Sequence, residues 1–498
     1  MNVNPITRLD YPDPDVIRVE DTYYMVSTTM HFMPGCEILQ SFDLVHWEHA
    51  TYVYETLDHT DAQQLKSGQN IYGQGMWAAS LRYHEGRFYI CFVANDTRKT
   101  YLYTSEKIDG PWKKQLIEGF YHDGSLLFDE DGRNYIVYGN DEIWITELNE
   151  DLTAPKKDGL HRLLVSDHKN PELGYEGSHI QKINGYYYIF LIHSLRDRWM
   201  RTEACFYSDS LEGEFTGGDV LCDDRGYCGQ GVAQGGIVDT PDGKWYAILF
   251  QDSGAVGRIP ILVPVTWKDH FPVFGQNGHV PEEIEVHSTR PGYIYQPLVG
   301  SDDFCNGLLP RWQFNHDPDP RYYHLDALQG TYTITTREVC TELTQAVNTL
   351  TQRMSYPSCA AEVTVDASAL KEGDVAGLCA LQSCYAAVGI TKHHGKYEVL
   401  MLDKKEDGIL DMTEGTVVES HQMDFRLEAD FCNMKDEARC YYRVNKGDWL
   451  PIGTVHKLYF KLDHFTGCRF GLFCYAAEET GGSACFRDFK YYDVDEIS

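Results

Sequence analysis

Three carboxylates head three similar segments of the chain. Asp13 precedes PDVIRVEDTYYMV, Asp123 precedes GSLLFDEDGRNYIVY and Glu176 precedes GSHIQKINGYYYIFL. Two more segments share the pattern, with Trp77 before AASLRYHEGRFYICF and Gln234 before GGIVDTPDGKWYAILF. A pair of carboxyl groups suits glycoside hydrolysis. One protonates the leaving oxygen while the other activates water or attacks the sugar. A third carboxylate nearby helps the acid keep its proton and holds its orientation. Taken singly, each has a plain structural explanation. Asp13 lies in PDPD and Asp123 precedes Gly, both ordinary turn sequences, and Glu176 suits a solvated loop end. In register on a repeat they predict one shared pocket, which like charges would make costly without a task.

The elements that must position them are short strands. After each anchor comes an apolar-rich strand, a polar turn usually containing Gly, and an aromatic strand starting about eleven residues on, at Tyr24, Phe88, Tyr135, Tyr187 and Trp245. Anchor spacings of 64, 46, 53 and 58 residues suit one four-stranded sheet per repeat. Five such units predict a five-bladed β-propeller, whose innermost strands bring the anchors to a common axis. A β-sandwich is the alternative for strands of this kind. Residues 291–303, rich in Pro and Gly, read as a linker. The expected division is a propeller over 1–290, this linker, and an all-β sandwich over 304–498, where apolar and polar residues alternate in short runs.

Composition narrows the partners. The net charge is −32 over 498 residues, with no Lys/Arg-rich run, which argues against nucleic acid. No apolar window approaches ~20 residues, so no membrane span is expected. The first residues lack the features of a signal peptide, and a cytoplasmic location is expected. The 15 cysteines include no CxxC pair and are expected to be reduced, mostly buried thiols. An aromatic content of 13% fits β-strands with a few sugar platforms.

The motifs NPITRLDYPDPDVIRVEDTYYMV, HDGSLLFDEDGRNYIVYG, YEGSHIQKINGYYYIF and GAVGRIPILVPVTW, in this order, resemble glycoside hydrolase family 43. The resemblance extends through LTQR and FGLFCYA to the concanavalin-like C-terminal domain of the β-xylosidase-type branch. It implies an inverting enzyme with Asp13 as general base, Glu176 as general acid, Asp123 as the auxiliary carboxylate and Arg258 as a sugar contact. Inversion requires the Asp13 and Glu176 carboxyls to stand ~6.5–9.5 Å apart. The sandwich of that branch can close one side of the site, leaving a blind pocket. Phe32 and Trp77 are candidate sugar platforms, and His179 is a candidate substrate contact. Each has a packing role as its alternative.

Two departures stand out. Family members often carry a fifth-blade His beside a calcium ion or ordered water, where this chain has Gln234; the usual Trp-Ala-Pro reads Trp77-Ala78-Ala79. The reaction is expected to need no cofactor, with calcium in the channel near Gln234 kept as an option. The resemblance implies exo-acting removal of α-L-arabinofuranosyl groups from hemicellulose oligosaccharides. β-Xylosidase activity on xylo-oligosaccharides is the alternative, and a non-catalytic carbohydrate-binding propeller a more distant one. An oligomer is compatible with the sequence.

Overall fold

In the computed structural model, which describes residues 3–493, alternating apolar strands with Gly-containing turns form five four-stranded antiparallel units around an axis. Blade 1 comprises Asp15–Val19, Thr22–Ser27, Gly35–Ser41 and Glu48–Tyr54; blade 2 runs from Met76–His84 to Lys113–Ile117. Blade 3 runs from Ser125–Phe128 to His161–Ser166, and blade 4 from Glu176–Ile183 to Thr216–Leu221. Blade 5 has its inner strand in two pieces, Val232–Ala233 and Ile237–Asp239, both paired with Trp245–Asp252. The ring is closed by the chain start: Asn4 exchanges hydrogen bonds with Leu262, and the Ile6 N–H donates to the Pro260 carbonyl.

The inner strands meet on a buried polar hub. Asp15 is wholly buried; its carboxylate accepts from Arg82 Nη1 at 2.7 Å and the Leu81 N–H at 2.8 Å, and meets His179 Nδ1 at 3.0 Å. Arg82 also donates to Ser125 Oγ and the Leu126 and Ile180 carbonyls, so one guanidinium joins blades 1 to 4. Burial pushes the Asp15 carboxyl up, but Arg82 and then His179 outweigh it and hold its pKa at about 2. A buried ion pair is stable only when its remaining donors and acceptors are filled, and the blade carbonyls do this for Arg82. A cavity of about 320 Å³ opens at this hub, lined by Arg82, His84, Phe128, Lys182 and Trp245.

The C-terminal unit is a sandwich of a seven-stranded and a nine-stranded antiparallel sheet over one apolar core that includes Phe425, Phe470, Leu472 and Phe486. The propeller contributes a strand to it. Phe32–Met33 pairs with Gln313–Asn315 and so forms the edge of the nine-stranded sheet. Arg353 crosses the other way, donating to Glu37 at 2.9 Å and the Asp10 carbonyl while stacking on the Tyr11 ring. Of the segment 291–303, Tyr293 and Gln296 donate to Glu48 of blade 1, whereas Gly300 and Asp302 already bond to Gln352 and Phe489 of the sandwich. All 15 cysteines are unpaired, nine of them buried.

Candidate active site

The anchors converge, and the backbone explains how. Asp13, Asp123 and Gln234 have left-handed backbones, with φ of 52°, 48° and 60°. That conformation is uncommon outside glycine and carries strain; here it bends each strand start towards the axis. The inner strands of blades 2 and 4 slip register just after Trp77 and Glu176. Gly177 has φ of 65°, and a Cβ there would lie 2.7 Å from the Gln234 side chain. Only glycine lets blades 4 and 5 close together behind Glu176.

Each carboxylate has defined partners. Asp13 is 7% exposed; its Oδ1 accepts from Arg258 Nη1 at 3.0 Å and its Oδ2 from Thr28 Oγ1 at 2.6 Å. Asp123 Oδ2 accepts the Gly177 N–H at 2.9 Å, tying it to the peptide that carries Glu176. Glu176 is partly open and accepts from Asn140 Nδ2 at 2.7 Å. Between these two lies His122, with Nε2 3.5 Å from Asp123 Oδ2 and 3.6 Å from Glu176 Oε2. Burial, Glu176 and Asp13 push the Asp123 carboxyl up against His122, to about 6. Asp123, then the hydrogen-bonding and charge of Glu176, raise His122 to about 9 despite its burial.

The wall combines both domains. Trp77 stands with its ring centre 6.0 Å from His122 and 5.5 Å from Phe465, which comes from the sandwich. The Arg258 guanidinium lies 4.4 Å from the Phe465 ring and 5.9 Å from that of Phe460; its Nε and Nη2 are buried without partners. Asp10 aligns the two walls, accepting the Arg258 N–H on one oxygen and the Gly467 N–H on the other, each at 2.8 Å. Arg201, held by Asp252 at 2.6 Å, feels the charges of Glu176 and Asp13.

Two expected contacts need correction. Phe32 is not at the site: it is 2% exposed, packed among Leu343, Val375 and Tyr385, with Arg469 3.5 Å above its ring. Its strand pairs with the sandwich, and that pairing turns the ring away. His179 is a hub residue bound to Asp15, not a free contact for substrate. Gln234 sits against blade 4. Its side chain packs on Gly177 and its N–H donates to Glu203, a carboxyl that burial pushes well above its usual range. Among the described residues, the one set of three His, Cys, Asp or Glu side chains close enough to share an ion is His122, Asp123 and Glu176. Its imidazole nitrogen sets it apart from the all-oxygen ligand sets that calcium takes.

His122, Asn140, Arg201 and Phe465 were not singled out from sequence. His122 alone had a local signal, as the neighbour of Asp123 in YHDGS.

Residues 3–272 match the family model for glycosyl hydrolases family 43, and residues 301–492 the model for the beta-xylosidase C-terminal concanavalin A-like domain. A beta-xylosidase of Formosa agariphila is 26% identical over 99% of this chain and 89% of its own length. A non-reducing end alpha-L-arabinofuranosidase of Bacteroides ovatus is 24% identical over 82% of this chain and 79% of its own. Among solved structures, a bifunctional GH43-CE protein of Bacteroides eggerthii is 42% identical with a TM-score of 0.92. The match covers 99% of this chain and 64% of that one. A GH43 enzyme engineered for both endo-xylanase and exo-arabinofuranosidase activity is 27% identical, with a TM-score of 0.86 and 99% coverage of both chains.

Proposed function

The chain belongs to glycosyl hydrolase family 43, and on that premise we propose that it removes terminal or side-chain α-L-arabinofuranosyl groups from hemicellulose oligosaccharides, with inversion. The observation that carries the reading is the meeting of Asp13, Asp123 and Glu176 from three blades beside Arg258 and His122. Asp13, oriented by Arg258 and Thr28, takes a proton from the water that attacks the anomeric carbon. Glu176, oriented by Asn140, gives its proton to the departing oxygen. Asp123 fixes the Gly177 peptide and hence the acid. Trp77 and Phe465 flank the sugar. Paired carboxyls of this kind suffice for the chemistry, so the reaction as drawn calls on no metal.

β-Xylosidase activity is the second reading. The relative named for it spans nearly the whole chain, and the sandwich matches a domain described from such enzymes. Kinetics on nitrophenyl α-L-arabinofuranoside and β-D-xyloside rank the two, and NMR of the first anomer released tests inversion. Glu176→Gln and Asp13→Asn should each lose about 10²–10⁴-fold in kcat on oligosaccharides. Turnover near wild type in either variant would remove that carboxylate from the mechanism.

A further inference from the structure

His122 has no assigned part in the reaction, yet it occupies the space between two of its carboxylates. Its Nε2 is buried and lacks a hydrogen-bond partner of good geometry, while facing Asp123 Oδ2 at 3.5 Å and Glu176 Oε2 at 3.6 Å. Its position is fixed from behind. The His122 carbonyl accepts the Gly139 N–H at 3.0 Å, on the strand whose next residue, Asn140, donates to Glu176. The Trp77 indole packs against its ring.

The groups around it come from four blades. Asp123 belongs to its own segment, Glu176 comes from blade 4 and Asp13 from blade 1; blade 2 offers only the neutral Trp77. Arg258 is paired with Asp13 and Arg201 with Asp252. With His122 charged, the two cations Arg258 and His122 face three carboxyl groups. One retained proton then leaves the site neutral, which is the ionisation state a general acid and a general base require. The imidazole is raised by these carboxylates in their ionised forms, Asp123 foremost.

We propose that His122 is a positioning residue for the general acid, an imidazolium that stabilises the carboxylate left on Glu176 when the leaving group takes its proton. The proton balance is simple. The Glu176 proton goes to the glycosidic oxygen as the C–O bond breaks, and the attacking water gives its proton to Asp13 as the new C–O bond forms. Negative charge thus appears on Glu176 3.6 Å from a fixed positive charge, an arrangement that favours the transition state over the ground state. The inference rests on Glu176 being the acid.

The test is His122→Asn, with His122→Gln as a second neutral variant, both checked for cooperative unfolding. Without the imidazolium Glu176 holds its proton more tightly, so the alkaline limb of kcat/KM should move up by about one pH unit or more. A poor sugar leaving group needs the proton and nitrophenol does not. Turnover of an arabinofuranosyl-xylo-oligosaccharide at pH 7 should therefore fall about ten-fold or more relative to nitrophenyl arabinofuranoside. A limb that stays in place, or equal losses on both substrates, overturns the role of His122. In the wild type, ¹⁵N-histidine spectra at pH 8 should contain a protonated imidazole that responds to a bound pentoside; its absence also overturns the proposal. If the wild type releases neither pentose, the underlying function has failed. If the wild type turns over, Glu176→Gln does not, and His122→Asn keeps the wild-type profile, only this inference falls.

Discussion

Arg82→Met isolates the electrostatics of the propeller hub. Methionine keeps the apolar stem and removes the guanidinium, leaving Asp15 wholly buried beside His179 and the Leu81 N–H. The depression of Asp15 from 3.8 to about 2 corresponds to roughly 2 kcal/mol of folding free energy. Breaking a buried pair by removing one partner costs about 3–5 kcal/mol. The variant should therefore lose about 2–5 kcal/mol, a fall in Tm of roughly 5–20 °C at about 2–4 °C per kcal/mol. The sign with pH follows from a folded pKa below the unfolded one. The contribution is complete above pH 3.8 and is lost as pH falls through about 2. Scanning calorimetry of the wild type and variant should show a constant gap from pH 8 to 5 that narrows in stronger acid. Asp15→Asn in the same background should recover part of the loss. A fall below about 2 °C, or the same fall whether residue 15 is Asp or Asn, would refute the claim that Arg82 holds the blades through Asp15.

Asp123 should behave in the opposite sense. Its folded pKa is raised to about 6, so its contribution is complete below pH 3.8 and is lost as pH rises through about 6. Asp123→Asn should raise Tm at pH 7.5 by an amount worth about 1–2 kcal/mol, shrinking to nothing near pH 4, while turnover falls steeply; equal Tm values at pH 7.5 would contradict this. Phe465→Ala removes the ring beside Arg258 and Trp77. A cation–π contact of about 0.5–2 kcal/mol converts to a loss in kcat/KM of roughly 2–30-fold, mainly through KM. An unchanged kcat/KM would exclude the sandwich from the site.

The five blades were legible because each repeats the same sequence of anchor, strand, turn and aromatic strand. The carboxylates were legible with them, since equivalent positions of a propeller must meet at its axis. The left-handed bends at Asp13, Asp123 and Gln234 were not, because non-glycine residues do not advertise that conformation. Asn140 ends a second strand and Arg201 opens a third, so neither holds an anchor position. Phe465 reaches the pocket from nearly 300 residues beyond Glu176, and no local pattern encodes an approach set by the docking of one domain on another. Phe32 misled for the same reason. Its loop reads as part of blade 1, but its hydrogen bonds belong to the other domain.

The strand Phe32–Met33 also constrains how this protein can be built. A sandwich expressed alone would present Gln313–Asn315 as a bare edge, open to any extended peptide. A propeller ending before residue 300 would leave Phe32 exposed to water. The boundary visible in the chain is thus not the boundary of the folded units. A chimaera that exchanges C-terminal domains should carry residues 30–34 with the new sandwich, as a graft in the middle of blade 1. During synthesis, the same two residues wait for some 280 more before their partner strand exists.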